Sequence, residues 1–178
     1  MWRLDYDDQK ALISSYTNRN QGRGRRVNAA EQATTLETAS KIATVVNLFK
    51  AEFPDTRADL KPWANDIDTR QLVDPDSIDI GFHFPGRSRL FQSRSVLVQI
   101  RFYQDLEAET RRAIGVEAAG YDHQGKQWRF STVQNWGFEG ASRPTPEICE
   151  SLKGFCRKTL AVFNPGLSDR GAIDSGLD

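Results

Sequence analysis

The side chains whose chemistry is easiest to define are arginines, which gather in two polar segments of the chain. Residues 19–26 hold Arg19, Arg23, Arg25 and Arg26, residues 87–94 hold Arg87, Arg89 and Arg94, and neither segment contains an acidic residue. A planar guanidinium binds a carboxylate or phosphate through two parallel hydrogen bonds, and interfaces favour arginine over lysine. If the two segments meet at one end of the fold, with Arg101 nearby, they form a patch that binds anionic groups.

The run from Val96 to Tyr103 supplies apolar surface that could accompany such a patch. One set of alternate side chains in this run is fully apolar, whereas the other set mixes Leu97 and Tyr103 with polar residues. A strand face that is half apolar is either covered by another part of the protein or used as a contact surface. We expect this face, with Tyr121 and Trp136, to contact a partner.

These features support two functions from different classes. The first is a non-catalytic accessory or assembly factor that binds the acidic surface of another protein through the arginine segments and the partly apolar sheet face. The second is RNA or DNA binding, in which the arginines hold phosphates and Trp128, Trp136 or Tyr103 stacks on bases. We prefer the first because 24 basic and 24 acidic residues leave no net charge, and the acidic segment 55–79 weakens attraction for a polyanion.

Two motif-like stretches could perform phosphate or metal chemistry, and each departs from its pattern at a residue that the chemistry needs. Gly120 to Lys126 has the spacing of a phosphate-binding loop, but Gln127 replaces the magnesium-binding Ser or Thr and a strand follows where a helix should. Pro75-Asp76 and Gln99-Ile100-Arg101 resemble the metal-binding pattern of PD-(D/E)xK nucleases. Glutamine is a poor metal ligand and arginine cannot act as a base, so we predict a hairpin turn and charged strand edges instead.

The two histidines, His83 and His123, indicate neither a metal site nor a defined catalytic group. Neither has a Cys, His or carboxylate at metal-ligand spacing. A Ser-His group could assemble through space, because Ser95 or Ser131 can share a sheet face with His83, but a hydrogen-bonded surface histidine is the simpler interpretation. We expect no catalytic residue, no metal and no cofactor.

Length and composition indicate one soluble domain. A chain of 178 residues with 38% hydrophobic residues can bury a core without disulfides. No apolar run approaches the roughly 18 to 20 residues of a membrane span. Residues 1–8 hold no apolar signal region, so we expect a cytoplasmic protein. Cys149 and Cys156 lie about 10 Å apart along a helix, too far to form a disulfide, and we expect both as reduced thiols. The predicted domain covers residues 1–164, and residues 165–178 form a flexible tail.

Alternating apolar residues predict four strands, and periodic apolar residues predict helices on both sides of them. The strands are expected at 77–84, ended by Pro85-Gly86, at 96–103, and in a hairpin over 113–136 that turns at 122–125. A long helix begins after Asn28 and ends at Pro54, and a last helix begins after Thr145. Shorter helices are expected over 11–16 and near 60–65, the second with Trp63 packed on the core.

The short connections between the predicted strands favour antiparallel neighbours. The predicted fold is therefore α+β, a four-stranded antiparallel meander with a long N-terminal helix and a C-terminal helix packed on one face. A curled sheet with one helix across its mouth would fit the same pattern.

Overall fold

The computed structural model describes residues 27–63, 76–105, 107 and 110–166. It contains three helices, α1 (Ala29–Gln32), α2 (Leu36–Glu52) and α3 (Pro146–Phe163), within these residues. The six strands are β1 (Arg57–Asp59), β2 (Ser77–Ser88), β3 (Ser93–Asp105), β4 (Thr110–Asp122), β5 (Gly125–Ser131) and β6 (Gly137–Gly140). The predicted helix over 11–16 and the tail from residue 167 lie outside the described residues.

The strands form one antiparallel sheet whose spatial order follows the sequence from β1 to β6. The predicted α+β class, antiparallel sheet and flanking helices are confirmed, but the prediction of four strands was wrong. The two additional strands, β1 and β6, have three and four residues, which is too short for a visible alternation of apolar and polar side chains. Each is held by pairing with a longer neighbour.

Two strand boundaries differ from the prediction because the backbone tolerates irregularity at the sheet ends. The strand β2 continues past Pro85-Gly86 to Ser88, with a register shift between His83 and Ser88. Proline is tolerated at such irregular, edge positions because no ladder hydrogen bond is lost. The strand β5 ends at Ser131, and the chain turns before Trp136, whose φ of 52° excludes an extended strand.

The long helical pattern is interrupted, and its cap lies at a different residue from the one predicted. Thr35 caps α2, since its Oγ1 accepts a hydrogen bond of 3.1 Å from the Thr38 amide. Asn28 precedes α1 but makes no side-chain cap. No helix is formed at residues 60–63, and the remainder of the predicted segment 60–65 lies outside the described residues.

The core lies between one face of the sheet and the helices α2 and α3. Phe49 of α2 stacks on Phe82 of β2 at 3.8 Å between ring centroids and meets Phe155 of α3 edge to face at 5.1 Å. Trp128 is fully buried, and its indole Nε1 donates a 2.6 Å hydrogen bond to the Phe91 carbonyl. Its ring occupies space left by Gly120, its register partner on β4. The opposite face of the sheet, called here the outward face, carries the candidate site.

None of the helices in the described ranges is long and apolar enough to cross a membrane. Both cysteines are free thiols, with Cys156 buried and Cys149 partly buried.

Candidate binding site

The middle of the outward face is a row of polar residues that pair across four strands. Asp79 pairs with Gln99, Gln99 with Glu117, and Glu117 with Ser131. Asp79 is fully buried and accepts hydrogen bonds from Trp63 Nε1 at 2.5 Å, Ser77 Oγ at 2.6 Å and Gln99 Nε2 at 3.1 Å. A buried carboxylate with several donors holds those donors in place, so this row is a rigid support.

Glu117 organises the other half of the row and engages two arginines. Its Oε1 accepts a hydrogen bond from Arg129 Nη2, lies 3.5 Å from Arg101 Nη1, and accepts from Ser131 Oγ at 3.1 Å. Ser131 is therefore directed to Glu117. The guanidinium of Arg101, predicted as part of a binding patch, is paired within the sheet face.

A half-open cavity of about 220 Å³ adjoins this row. Its floor is built by Gly81 and Leu97, which pair across β2 and β3. Pro62 and Trp63 form one wall. Tyr121 lies on β4, two strands and about 10 Å away from β2 across the sheet. A Cβ at Gly81 would lie 3.3 Å from the Cβ of Pro62, so the glycine allows this wall to approach the sheet.

The tryptophan wall is fixed at both its backbone and its ring. Asn28 Oδ1 accepts a 3.0 Å hydrogen bond from the Trp63 amide, and Asn28 Nδ2 donates a 3.2 Å bond to the Trp63 carbonyl. The Trp63 ring donates a hydrogen bond from Nε1 to Asp79 Oδ2. The Asn28 side chain therefore fixes the cavity wall, and it does not cap α1, the helix that follows it.

Polar groups lie at one end of the cavity, where His83, Ser95 and Tyr121 form a second cross-strand row. His83 Nε2 lies 3.1 Å from Asp59 Oδ2, and both side chains are about one third exposed. Burial raises the pKa of Tyr121, Asp79 and Glu117 raise it further, and Arg129 partly opposes them. The Tyr121 hydroxyl therefore stays protonated at neutral pH and can donate a hydrogen bond.

The Ser-His group considered from the sequence is only partly assembled. Ser95 is the register partner of His83 and lines the same cavity, with Asp59 on the far side of the ring. No hydrogen bond joins Ser95 to His83 in the described part of the chain. The arrangement thus lacks the contact through which a histidine takes a proton from a serine.

The arginines of the second segment lie in and beside the turn between β2 and β3. Arg87 donates to Gln92 Oε1 at 3.0 Å, and its Nε lies 3.8 Å from Asp122 Oδ2, next to Tyr121 in the chain. Arg89 and Arg94 are exposed and make no ion pair with another described residue. The turn packs on the helix side of the sheet, since Phe91 lies 4.7 Å from Phe53 between ring centroids and the Leu90 carbonyl accepts a 2.9 Å hydrogen bond from the Thr145 amide. Arg94 directly precedes Ser95, which lines the cavity.

The other predicted partner-binding residues lie elsewhere. Arg101 and Tyr103 sit eight or more residues along β3 from the hairpin, which is roughly 26 Å, and Tyr103 is half exposed beneath the Arg112 guanidinium at 5.8 Å. Trp136 lies on the helix side, edge to face with Phe130 at 5.9 Å and 5.1 Å from the Arg157 guanidinium. Arg19, Arg23, Arg25 and Arg26 lie outside the described residues.

Sequence reasoning missed three residues that shape the cavity. Trp63 was expected to pack on the core, but it covers the outward face. Gly81 lies within β2, where apolar and polar side chains otherwise alternate. A glycine inside a strand often indicates that another group approaches the backbone closely. Asp59 carried no signal, because its strand has only three residues.

No group of three or more His, Cys, Asp or Glu among residues 27–63, 76–105, 107 and 110–166 could hold a metal ion. Residues 30–165 match the model of a domain of unknown function, and the chain belongs to that family. Neither the curated proteins nor the solved structures contain a significant match to this chain.

Proposed function

We propose that the protein is a non-catalytic accessory or assembly factor that binds another protein at the hairpin end of its outward face. The observation that carries the proposal is that one β-hairpin, formed by β2 and β3, carries both an aromatic cavity and exposed arginines. Ser95 lines the cavity, and Arg94 directly before it and Arg89 in the preceding turn are exposed and lack ion-pair partners among the described residues. Protein interfaces combine an apolar centre that takes an anchoring side chain with a polar rim in which arginine is enriched.

The cavity volume supports a side chain of a partner as the occupant. Sites for drug-sized molecules usually enclose about 300–1,000 Å³, whereas this cavity encloses about 220 Å³ and is open on one side. A single aromatic or long apolar side chain fills such a space. The rest of the partner would then lie over the hairpin.

The charge of the hairpin supports an acidic partner. Residues 86–95 hold three arginines and no acid, and only Arg87 has a carboxylate nearby in the described structure, at Asp122. Carboxylates of a partner can pair with Arg89 and Arg94 without first breaking an existing ion pair. The same charges would speed association with an acidic surface at low salt.

We assign this function to the cytoplasm. The unpaired thiols of Cys149 and Cys156 are the form that a reducing compartment maintains.

Reversing the two free charges tests the proposal. In native cells, a tagged R89E/R94E variant should recover its cross-linked partner about tenfold less well than the unaltered protein, since two rim ion pairs become repulsive. The matched control is K50E/R112E, which makes the same charge change at exposed positions on α2 and β4 that have no ion-pair partner among the described residues. Quantitative mass spectrometry of the recovered proteins provides the measurement.

Equal recovery by R89E/R94E and K50E/R112E would refute an arginine-dependent protein interface. Binding to a short oligonucleotide, with affinity that falls steeply as salt rises, would replace it with the RNA or DNA hypothesis. In the RNA or DNA hypothesis the same arginines contact phosphates, so R89E/R94E would abolish the oligonucleotide binding.

A further inference from the structure

We infer that the outward-face cavity is a specific site for a phenol ring. The cavity joins apolar walls that fit one six-membered ring to hydroxyl groups that fit a hydroxyl on that ring. The inference deepens the proposed function and rests on it only for the source of the ring, which would be a tyrosine side chain of the partner.

The size and apolar lining fit a single ring. Protein cavities of about 150 Å³ take up benzene, and this cavity encloses about 220 Å³. The surplus accommodates one or two substituents. Trp63 and Leu97 supply a flat wall and an apolar floor, and aromatic rings gain energy by packing against such a wall.

The polar end of the cavity distinguishes a phenol from a hydrocarbon. Ser95 and Tyr121 both line the cavity, and neither hydroxyl forms a hydrogen bond with another described residue. Each can donate or accept. A phenolic hydroxyl would satisfy one or both, whereas a bare ring would remove them from water without replacing the hydrogen bonds they lose.

The site is already formed before a ligand arrives. Asn28 holds the backbone of Trp63, Asp79 holds its indole, and Gly81 leaves room for Pro62 to close against the sheet. A preformed site loses little conformational entropy on binding. Weak but saturable binding of a small isolated ring is therefore expected.

The experiment is a titration of the isotope-labelled full chain with p-cresol and toluene, followed by amide NMR. These probes share one ring and differ by the hydroxyl. p-Cresol should shift the amides of Gly81, Ser95 and Leu97 with a dissociation constant on the order of 1 mM. Toluene should bind at the same place about tenfold more weakly, because one or two neutral hydrogen bonds are lost.

Conservative variants link this preference to the two hydroxyls. In S95A/Y121F the advantage of p-cresol over toluene should disappear while toluene binding is unchanged, which shows that the cavity is intact. R89E/R94E should bind p-cresol normally, so failure of the partner interface and failure of the ring site can be told apart. Absence of shifts around the cavity, or equal affinity for the two probes in the unaltered protein, would overturn the inference.

A third probe distinguishes the sources of the ring. N-acetyltyrosinamide binding as well as p-cresol supports a tyrosine presented by a polypeptide. Binding of p-cresol with exclusion of N-acetyltyrosinamide supports a free phenolic compound, because the cavity would then lack room for a backbone at its mouth.

Discussion

Gly115 and Gly120 lie on the same strand, and a methyl group added to either would meet a side chain at 2.2 Å. At Gly120 the obstacle is the indole of Trp128, which is fully buried and hydrogen-bonded to Phe91. At Gly115 it is Val133, which is half exposed. The added methyl group would therefore be equally close to a side chain at both positions. The Val133 side chain can move away into solvent, whereas the buried indole of Trp128 cannot.

We predict that Gly120→Ala lowers the free energy of unfolding by about 1–3 kcal/mol, as overpacking of a core does. Gly115→Ala should change it by less than about 1 kcal/mol, because Val133 can turn into solvent. Urea denaturation of both variants measures the difference. Equal losses would mean that the indole of Trp128 is as free to move as Val133.

At the scale of elements, each of the two long helices is preceded by a threonine at its N-cap position, and the two threonine hydroxyls have different surroundings. Thr35 Oγ1 accepts from the Thr38 amide, whereas Thr145 Oγ1 is buried and has no hydrogen-bond partner. Thr35→Val should cost about 1 kcal/mol of stability through the lost cap. Thr145→Val keeps the shape and removes an unsatisfied hydroxyl, so it should be neutral or stabilising.

Thermal unfolding of the two valine variants checks this pair. A loss of stability in Thr145→Val as large as that in Thr35→Val would contradict it, since it would require that the Thr145 hydroxyl acts as a cap.

The elements predicted correctly are those in which each residue contributes to a repeated pattern. The strand around Ile78, Ile80 and Phe82 shows this, because each apolar side chain enters the core and the residues between them face outward. By contrast, β1 is formed because its backbone pairs with β2. Neither its three residues nor the Gly137–Gly140 strand carries a pattern of its own, so tertiary pairing decides their structure.

The site depends on contacts between residues that are distant in sequence, and this limits how much of it could be predicted from the sequence. Sheet alternation placed His83 and Ser95 on one face, and the register brings them side by side. The arginines were recognisable by type, but their grouping depends on strand length, which puts Arg101 far from the hairpin that carries Arg89 and Arg94. The position of Trp63 depends on Asn28, 35 residues away, and local periodicity carries no information about such a contact.

At this scale the molecule has two different surfaces. Its helices are stabilised by core packing on one face of the sheet, the other face carries the aromatic cavity, and the turn between β2 and β3 carries the exposed Arg89. A partner that uses the hairpin should leave the helical side exposed. That asymmetry can be tested without knowing the partner in advance.

The most direct measurement places the photoreactive residue p-benzoylphenylalanine at position 90 on the hairpin or at position 36 on α2 in native cells. Both replaced residues are exposed leucines, so neither change should disturb folding or remove an arginine. Irradiation should yield a discrete adduct with another protein from position 90 and none from position 36. Equal yields from the two positions, or an adduct only from position 36, would contradict binding at the hairpin.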